Sequence, residues 1–325
     1  MIDSDRTILL RRRGYTEREA EFLCLAADAG GYFLRRHFRR FLGQKPGRSE
    51  VVLARKLSEK GHAKVAVGAR GIELYDLSPR RFYRAIGSPE SRNRRRRPPS
   101  AIRTRLLTLD YVLDHRDARF LFADAEKKEY LTEQRGIPPK ALPANGGLFI
   151  DRFPLHIPRR LVPPRRLVSF CYVDPQLFST RRLRSFLERQ RRLWEELGEF
   201  RLVYITDRRW NPRQAERLFR AFRKRHWPIE KARQTTIQER LLQAFRTDHG
   251  IRAGRISYPR RSDFALIERA KAELSPARYD SLFATWALTS DQAVYDLVEP
   301  QPRRLWPKGE LISQLIAESY SFLGH

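Results

Sequence analysis

Apolar positions recur at helical spacing near the start of the chain and then switch to strict alternation. Thr16-Glu17-Arg18-Glu19 reads as a capping box, the threonine hydroxyl capping a helix start and Glu19 reaching back. Behind it Ala20, Leu23, Cys24 and Ala27 share one face, and Gly30-Gly31 ends the helix. A second helix is predicted over Phe33–Leu42, with Phe33, Leu34, Phe38 and Phe41 inward and Arg35, Arg36, Arg39 and Arg40 toward solvent. After a turn from Gly43 to Gly47, a third helix starts near Ser49, buries Val51, Ala54 and Leu57, and stops at Lys60-Gly61. His62–Val67 then reads as a strand, Gly68–Gly71 as a turn, and Ile72–Leu77 alternates apolar with polar residues. Three short helices followed by a hairpin predict a winged helix-turn-helix, whose third helix commonly enters a DNA major groove.

Further along, Pro79–Ile86 is a predicted helix with Phe82 and Tyr83 packing back on the core. Ala101–His115 is another, carrying Ile102, Leu106, Leu109, Val112 and Leu113 at helical spacing. A strand over Phe120–Ala123 and a helix over Ala125–Arg135 follow. The apolar runs Gly147–Ile157 and Leu167–Asp174, the helix Leu183–Leu197 and the strand Arg201–Asp207 make an α/β core. The helix is long enough for a crossover, so residues 168–173 should pair in parallel with 201–206. From Pro212 onward the pattern is helical: one stripe of Ala215, Leu218, Phe219 and Phe222, another of Ile237, Leu241, Leu242 and Phe245. Helices are also predicted at 264–274, 276–285 and 290–298, and a closing one over Leu311–Leu323. The fold class expected is mixed α/β. A winged-helix domain (1–90), an arginine-rich linker (91–100), an α/β domain (101–210) with a nuclease-like strand-helix-strand core, and a helical region (211–325) succeed one another.

Charge sharpens this picture. The chain has 66 lysines and arginines against 38 acids, a formal net charge of +28, and such a field draws polyanions, of which nucleic acid is the commonest. Arginine supplies 55 of the basic residues, and its planar fork suits phosphates and guanine edges, although a GC-rich genome gives the same bias. The densest run, Ser91-Arg92-Asn93-Arg94-Arg95-Arg96-Arg97-Pro98-Pro99, repels itself and is predicted to be a mobile loop. Arg94, Arg95, Arg96 and Arg97 there are candidates for gripping phosphates or a narrow minor groove. Cys24 and Cys171 have no CxxC partner, which excludes Cys-rich zinc and suits buried free thiols in a reducing cytosol. The polar, acidic start and the lack of any apolar run of ~20 residues predict a cytoplasmic protein without a membrane partner.

Leu-Ser-Glu-Lys-Gly (57–61) and Leu-Tyr-Asp-Leu-Ser (74–78), in this order within Thr16–Gly87, resemble the replication-relaxation family, winged-helix proteins of plasmids and integrative elements. The resemblance implies double-stranded DNA binding in the replication or transfer of a mobile genetic element. The third helix would then read bases through Arg48, Ser49, Val52, Arg55 and Lys56, which fall off its apolar stripe. Lys64 and Arg70 of the wing, with Arg35, Arg36, Arg39 and Arg40, would hold phosphates.

Two rival classes follow from other residues. Asp151 and Asp174 stand near the ends of predicted strands, where PD-(D/E)xK nucleases place metal-binding acids; Mg²⁺ is implied only in that case. Asp174-Pro175-Gln176 puts a neutral glutamine where such enzymes have lysine, so cleavage is not expected. The seven histidines form no HxxxH or HExxH pair, and neither a P-loop nor GxGxxG occurs, so no cofactor is expected. The other rival is an RNA-binding or assembly subunit of a ribonucleoprotein, or of a complex with other proteins of the same element, for which the charge alone would suffice.

Overall fold

The computed structural model describes residues 4–45, 47–68, 71–95, 97–145, 148–151, 153–158, 167–174, 179–227, 237–298, 307–317 and 320–323. Helices and strands mix throughout, and the chain forms two compact units, Met1–Trp227 with Trp306–His325, and Pro228–Leu305. Among the described residues no helix is long and apolar enough to cross a membrane.

The first unit opens with α1 (Ser4–Arg11), which packs Leu10 against α2 (Glu17–Asp28) and pairs Arg6 with Asp28. Sequence periodicity missed this helix because it is short and mostly polar. At α2 the predicted capping box is present: the Glu19 backbone N–H donates to the Thr16 hydroxyl, and the Thr16 N–H donates to Glu19 Oε2 at 2.7 Å. The next helix begins later than predicted. Tyr32–Leu34 form a strand, β1, and α3 starts at Arg35 and runs to Leu42. Tyr-Phe-Leu pairs antiparallel with β3 (Glu73–Asp76), and Phe33 stacks on Tyr75 across that pair with centroids 5.0 Å apart. Gly43 closes α3 in the left-handed region at φ 67°, which an L side chain rarely adopts.

Helix α4 (Arg48–Glu59) also turns differently. Leu53, Ala54 and Leu57 are buried, whereas Val51, expected inside, is 51% exposed. The buried row is i, i+3, i+4, i+7 from Glu50, whose carboxylate sits 3.1 Å from Arg39 Nε. Leu53 thus takes the inward place that the valine spacing suggested for Val51. β2 (Lys64–Val67) pairs antiparallel with β3, giving a small sheet in the order β1-β3-β2, and α5 (Arg80–Ala85) buries Phe82 and Tyr83.

Helix α6 (Pro99–Asp114) joins this part to a second sheet. It contacts α3 and β1 as well as β8 (Val168–Asp174) and β9 (Glu199–Thr206), so residues on both sides of position 95 share one unit. β4 (Ala118–Leu121), α7 (Asp124–Glu129), the short hairpin β5 (Ala144–Asn145) and β6 (Leu148–Phe149), and β7 (Leu155–Pro158) precede β8. α8 (Thr180–Leu197) leads into β9 and α9 (Asn211–His226) follows it. β8 and β9 are parallel, Val168 opposite Phe200 through Asp174 opposite Thr206, which is the pairing expected from the crossover helix.

The closing segment corrects the sequence reading. Lys308–Leu315 is a strand, β10, lying parallel to β9, and not the start of a helix over Leu311–Leu323. Leu311, Ile312, Leu315 and Ile316 fit a helical face, but the free edge of β9 offers a row of backbone partners that local spacing does not reveal. The sheet order is β10-β9-β8-β7-β4, with β4 and β7 antiparallel to their neighbours. Side chains alternate across it. Val168, Phe170, Phe200, Leu202 and Tyr204 face a core with α8 and α9, while Cys171, Val203 and Ile205 face one with Leu106, Leu107 and Tyr111 of α6. The layers are therefore α6, sheet, then α8 and α9.

The second unit holds α10 (Ile237–Arg252), α11 (Arg261–Leu274), α12 (Pro276–Leu288) and α13 (Gln292–Leu297) around Phe245, Tyr279 and Phe283. These helices fall where periodicity predicted them. In sequence they sit between α9 and β10.

Candidate nucleic-acid interface

The arginines of α3 are half-buried and turned to acids on neighbouring elements. Arg35 contacts Glu73 at 2.6 Å and donates to the Tyr75 hydroxyl, Arg39 contacts Glu50, and Arg40 spans Asp110 and Asp114 of α6. Arg36 lies 3.7 Å from Asp110 and over the Tyr320 ring. The expectation that all four point to solvent is corrected. Crowded like charges on so short a helix repel, and the fold brings acids against each of them.

Asp110 is the centre of that arrangement, with no exposed surface. The Leu34 backbone N–H donates to His37 Nδ1 at 3.0 Å, so the ring proton is on Nε2, which faces Asp110 Oδ1 at 3.2 Å. Burial lowers the His37 pKa and keeps the ring neutral, and the Tyr320 hydroxyl donates to the other Asp110 oxygen. Burial alone would raise the Asp110 carboxyl; the His37 and Tyr320 hydrogen bonds and the Arg36 charge hold it below its ordinary value instead.

On α4 the predicted readers separate. Lys56 is held by Glu19 at 2.7 Å, the same carboxylate that closes the α2 capping box, so it braces α4 against α2. Ser49 donates its hydroxyl to Gln44 at 3.2 Å. Arg48 is exposed, Val52 half-buried, and Arg55 is 70% exposed, 3.6 Å from Glu59 one turn on. With the exposed Val51, which the sequence reading placed inside, Arg48, Val52 and Arg55 form one outward face. Local spacing fits either phase, and only the burial of Leu53 decides between them.

The strand β2 is exposed along its length, including Lys64, while Arg70 lies outside the described residues. The arginine-rich stretch is anchored where a mobile loop was expected: Arg92–Arg94 make a short 3-10 turn. Asn93 donates to the Ala27 carbonyl at the end of α2 and accepts from Arg105 of α6. One polar side chain thus holds a segment whose composition alone opposes packing. Arg94 donates to the Pro89 carbonyl at 2.6 Å, Arg95 is exposed, Arg97 is half-buried, and Arg96 lies outside the described residues.

No family model, curated protein or solved structure matches the chain.

The antiparallel β7–β8 register carries the segment before β7 toward the carboxyl end of β8, and both Asp151 and Asp174 act electrostatically on Tyr172. Each acid has a protein partner. Asp151 receives two hydrogen bonds from Arg189, at 2.7 and 2.6 Å. Asp174 is 5% exposed and accepts from the Tyr204 hydroxyl and from Asn211. Burial pushes its carboxyl up, against the ionised form that a divalent ion needs. Asp207, at the end of β9, pairs with the buried Arg103. Among the described residues no group of three or more His, Cys, Asp and Glu side chains could hold a metal ion; Gln176 lies outside them.

Proposed function

We propose that this protein binds double-stranded DNA, with residues 16–77 acting as a winged helix-turn-helix and α4 as the helix that enters the major groove. The observation that carries the reading is the outward face of α4. Arg48, Val51 and Arg55 are exposed, with half-buried Val52 between them, on a helix packed against α3 and followed by the exposed strand β2. Arginine at Arg48 or Arg55 suits the O6 and N7 edge of guanine, and the valines suit thymine methyl groups. Lys64 on the hairpin and Arg95 beyond α5 would neutralise phosphates, whereas the paired arginines of α3 and Lys56 serve the fold. The resemblance to the replication-relaxation family favours a role in the replication, transfer or regulation of a mobile element. Under this reading the carboxyl edge of β8 and β9 is a nuclease-like scaffold without catalysis, its acids engaged by Arg189, Tyr204 and Asn211.

The test is duplex binding titrated with salt. Affinity should fall about 10³-fold or more between 50 and 200 mM salt if roughly six or more phosphates are neutralised. Arg55→Ala should lower preference for the selected site over random DNA by roughly 1–3 kcal/mol. Salt-insensitive binding, or an equal loss on selected and random duplexes, would refute α4 as the reader.

A further inference from the structure

The described surface carries a second basic face that the α4 reading does not use. On α9 the apolar side, Ala215, Phe219 and Phe222, packs on the sheet, and the opposite side presents Arg213, Arg217, Arg220 and Lys224, all exposed. Their spacing is i, i+4, i+7, i+11, one continuous helical stripe about 16 Å long at ~1.5 Å per residue. Exposed Arg181 and Arg184 lie on the neighbouring α8, which packs beside α9 through His226, in contact with Glu188 and Arg191. The acids of these two helices do not neutralise the stripe. Glu188 is drawn to His226 and Glu195 accepts from the Trp227 indole, and the remaining two acids, Glu196 of α8 and Glu216 of α9, are far outnumbered by the 12 lysines and arginines of the two helices.

The placement matters as much as the charge. α8 and α9 cover one face of the five-stranded sheet, and α6 covers the other. Leu109 and Leu113 of α6 belong to the core of α2 and α4, so the α4 surface is built on the α6 side. A straight duplex lying along α4 would have the sheet between it and the α9 stripe. Residues 228–305 hold 13 basic residues against 10 acids, so the first unit bears 25 of the 28 net positive charges, enough for two polyanion surfaces.

We propose that the outer face of α8 and α9 is a second phosphate-binding surface that grips a duplex segment other than the one on α4, so that one molecule bridges two DNA segments. The stripe is cationic, without the apolar side chains that α4 shows. It therefore fits the phosphate backbone of a duplex, whose contacts position a protein without reading sequence. That the polyanion is duplex DNA rests on the function proposed above.

The experiment is a bridging capture. The full chain is bound to biotinylated duplex on beads, and retention of a second, fluorescent duplex is measured, alongside fluorescent single-stranded DNA and RNA. The parent should retain the second duplex in preference to either. The variant Arg213→Ser, Arg217→Ser, Arg220→Ser, Lys224→Ser should stay on the beads yet retain about tenfold less second duplex or worse, with its salt slope reduced by roughly three to four. Because the four side chains are exposed, its thermal unfolding should match the parent; should it not fold, Arg217→Gln with Arg220→Gln makes the same comparison. Equal retention by variant and parent would overturn the proposal, as would preferential capture of single strands or RNA. The companion variant Arg48→Ala with Arg55→Ala separates the two readings. If it binds and selects as the parent does while the α9 variant loses bridging, the assignment of α4 fails and the second surface stands.

Discussion

Replacing Asp110 with asparagine tests whether the buried charge hub holds the first unit together. The carboxylate is fully buried and faces His37 Nε2, Arg36, Arg40 and the Tyr320 hydroxyl, all donors. The amide would keep the shape and one acceptor oxygen but turn an NH₂ group toward donors that have nothing to accept. Removing one member of a buried charged set costs about 3–5 kcal/mol, and the oxygen that remains recovers part of it. The expected loss is about 3 kcal/mol, near the upper end for one hydrogen bond to a charged group. Urea unfolding followed by circular dichroism reads this as a lower midpoint at an unchanged slope. Tyr320→Phe, which deletes a single donor to the carboxylate, should cost about 1.5–2 kcal/mol. A midpoint for Asp110→Asn equal to the parent's would refute the reasoning, since the arginines would then be satisfied by water alone.

His62 supplies a pH prediction. It is 2% exposed, shares a hydrogen bond with the Tyr15 hydroxyl, and has its pKa lowered from 6.5 to about 4 by burial first and then by Arg13, Lys60 and Arg81. The unfolded chain therefore binds the proton more readily, so stability is full above pH 6.5 and falls toward pH 4. The loss should be on the order of 3 kcal/mol, and a His62→Gln variant whose acid profile matches the parent's would contradict it. Lys56→Ala should lower stability by about 1–3 kcal/mol, because Glu19 is left buried without its partner, while leaving the preference for a selected DNA site unchanged; the opposite pattern would return Lys56 to the reading face. Supercoiled DNA incubated with Mg²⁺ or Mn²⁺ should stay intact, and nicking abolished by both Asp151→Ala and Asp174→Ala would overturn the reading of that edge as non-catalytic.

Local chemistry was enough to determine much of this protein. The capping box at Thr16, the glycine stop after Lys60, the alternation over 72–77 and the helices of the second unit all depend on neighbours within a few residues, and the length of the helix between β8 and β9 was enough to imply their parallel pairing. Net charge needs no fold at all. Tertiary structure decided the rest. Tyr32–Leu34 became a strand because β3 lies beside it, and Lys308–Leu315 became one because the edge of β9 was open, although neither partner is near in sequence. The same holds for the candidate site. Arg36, Arg40 and Lys56 read as surface cations until α6 and α2 place Asp110, Asp114 and Glu19 against them. Arg48 and Arg55 keep their outward course because nothing folds over them. Sequence reveals which residues carry charge; which charges remain for a partner depends on the acids that folding brings alongside, and that is a long-range property.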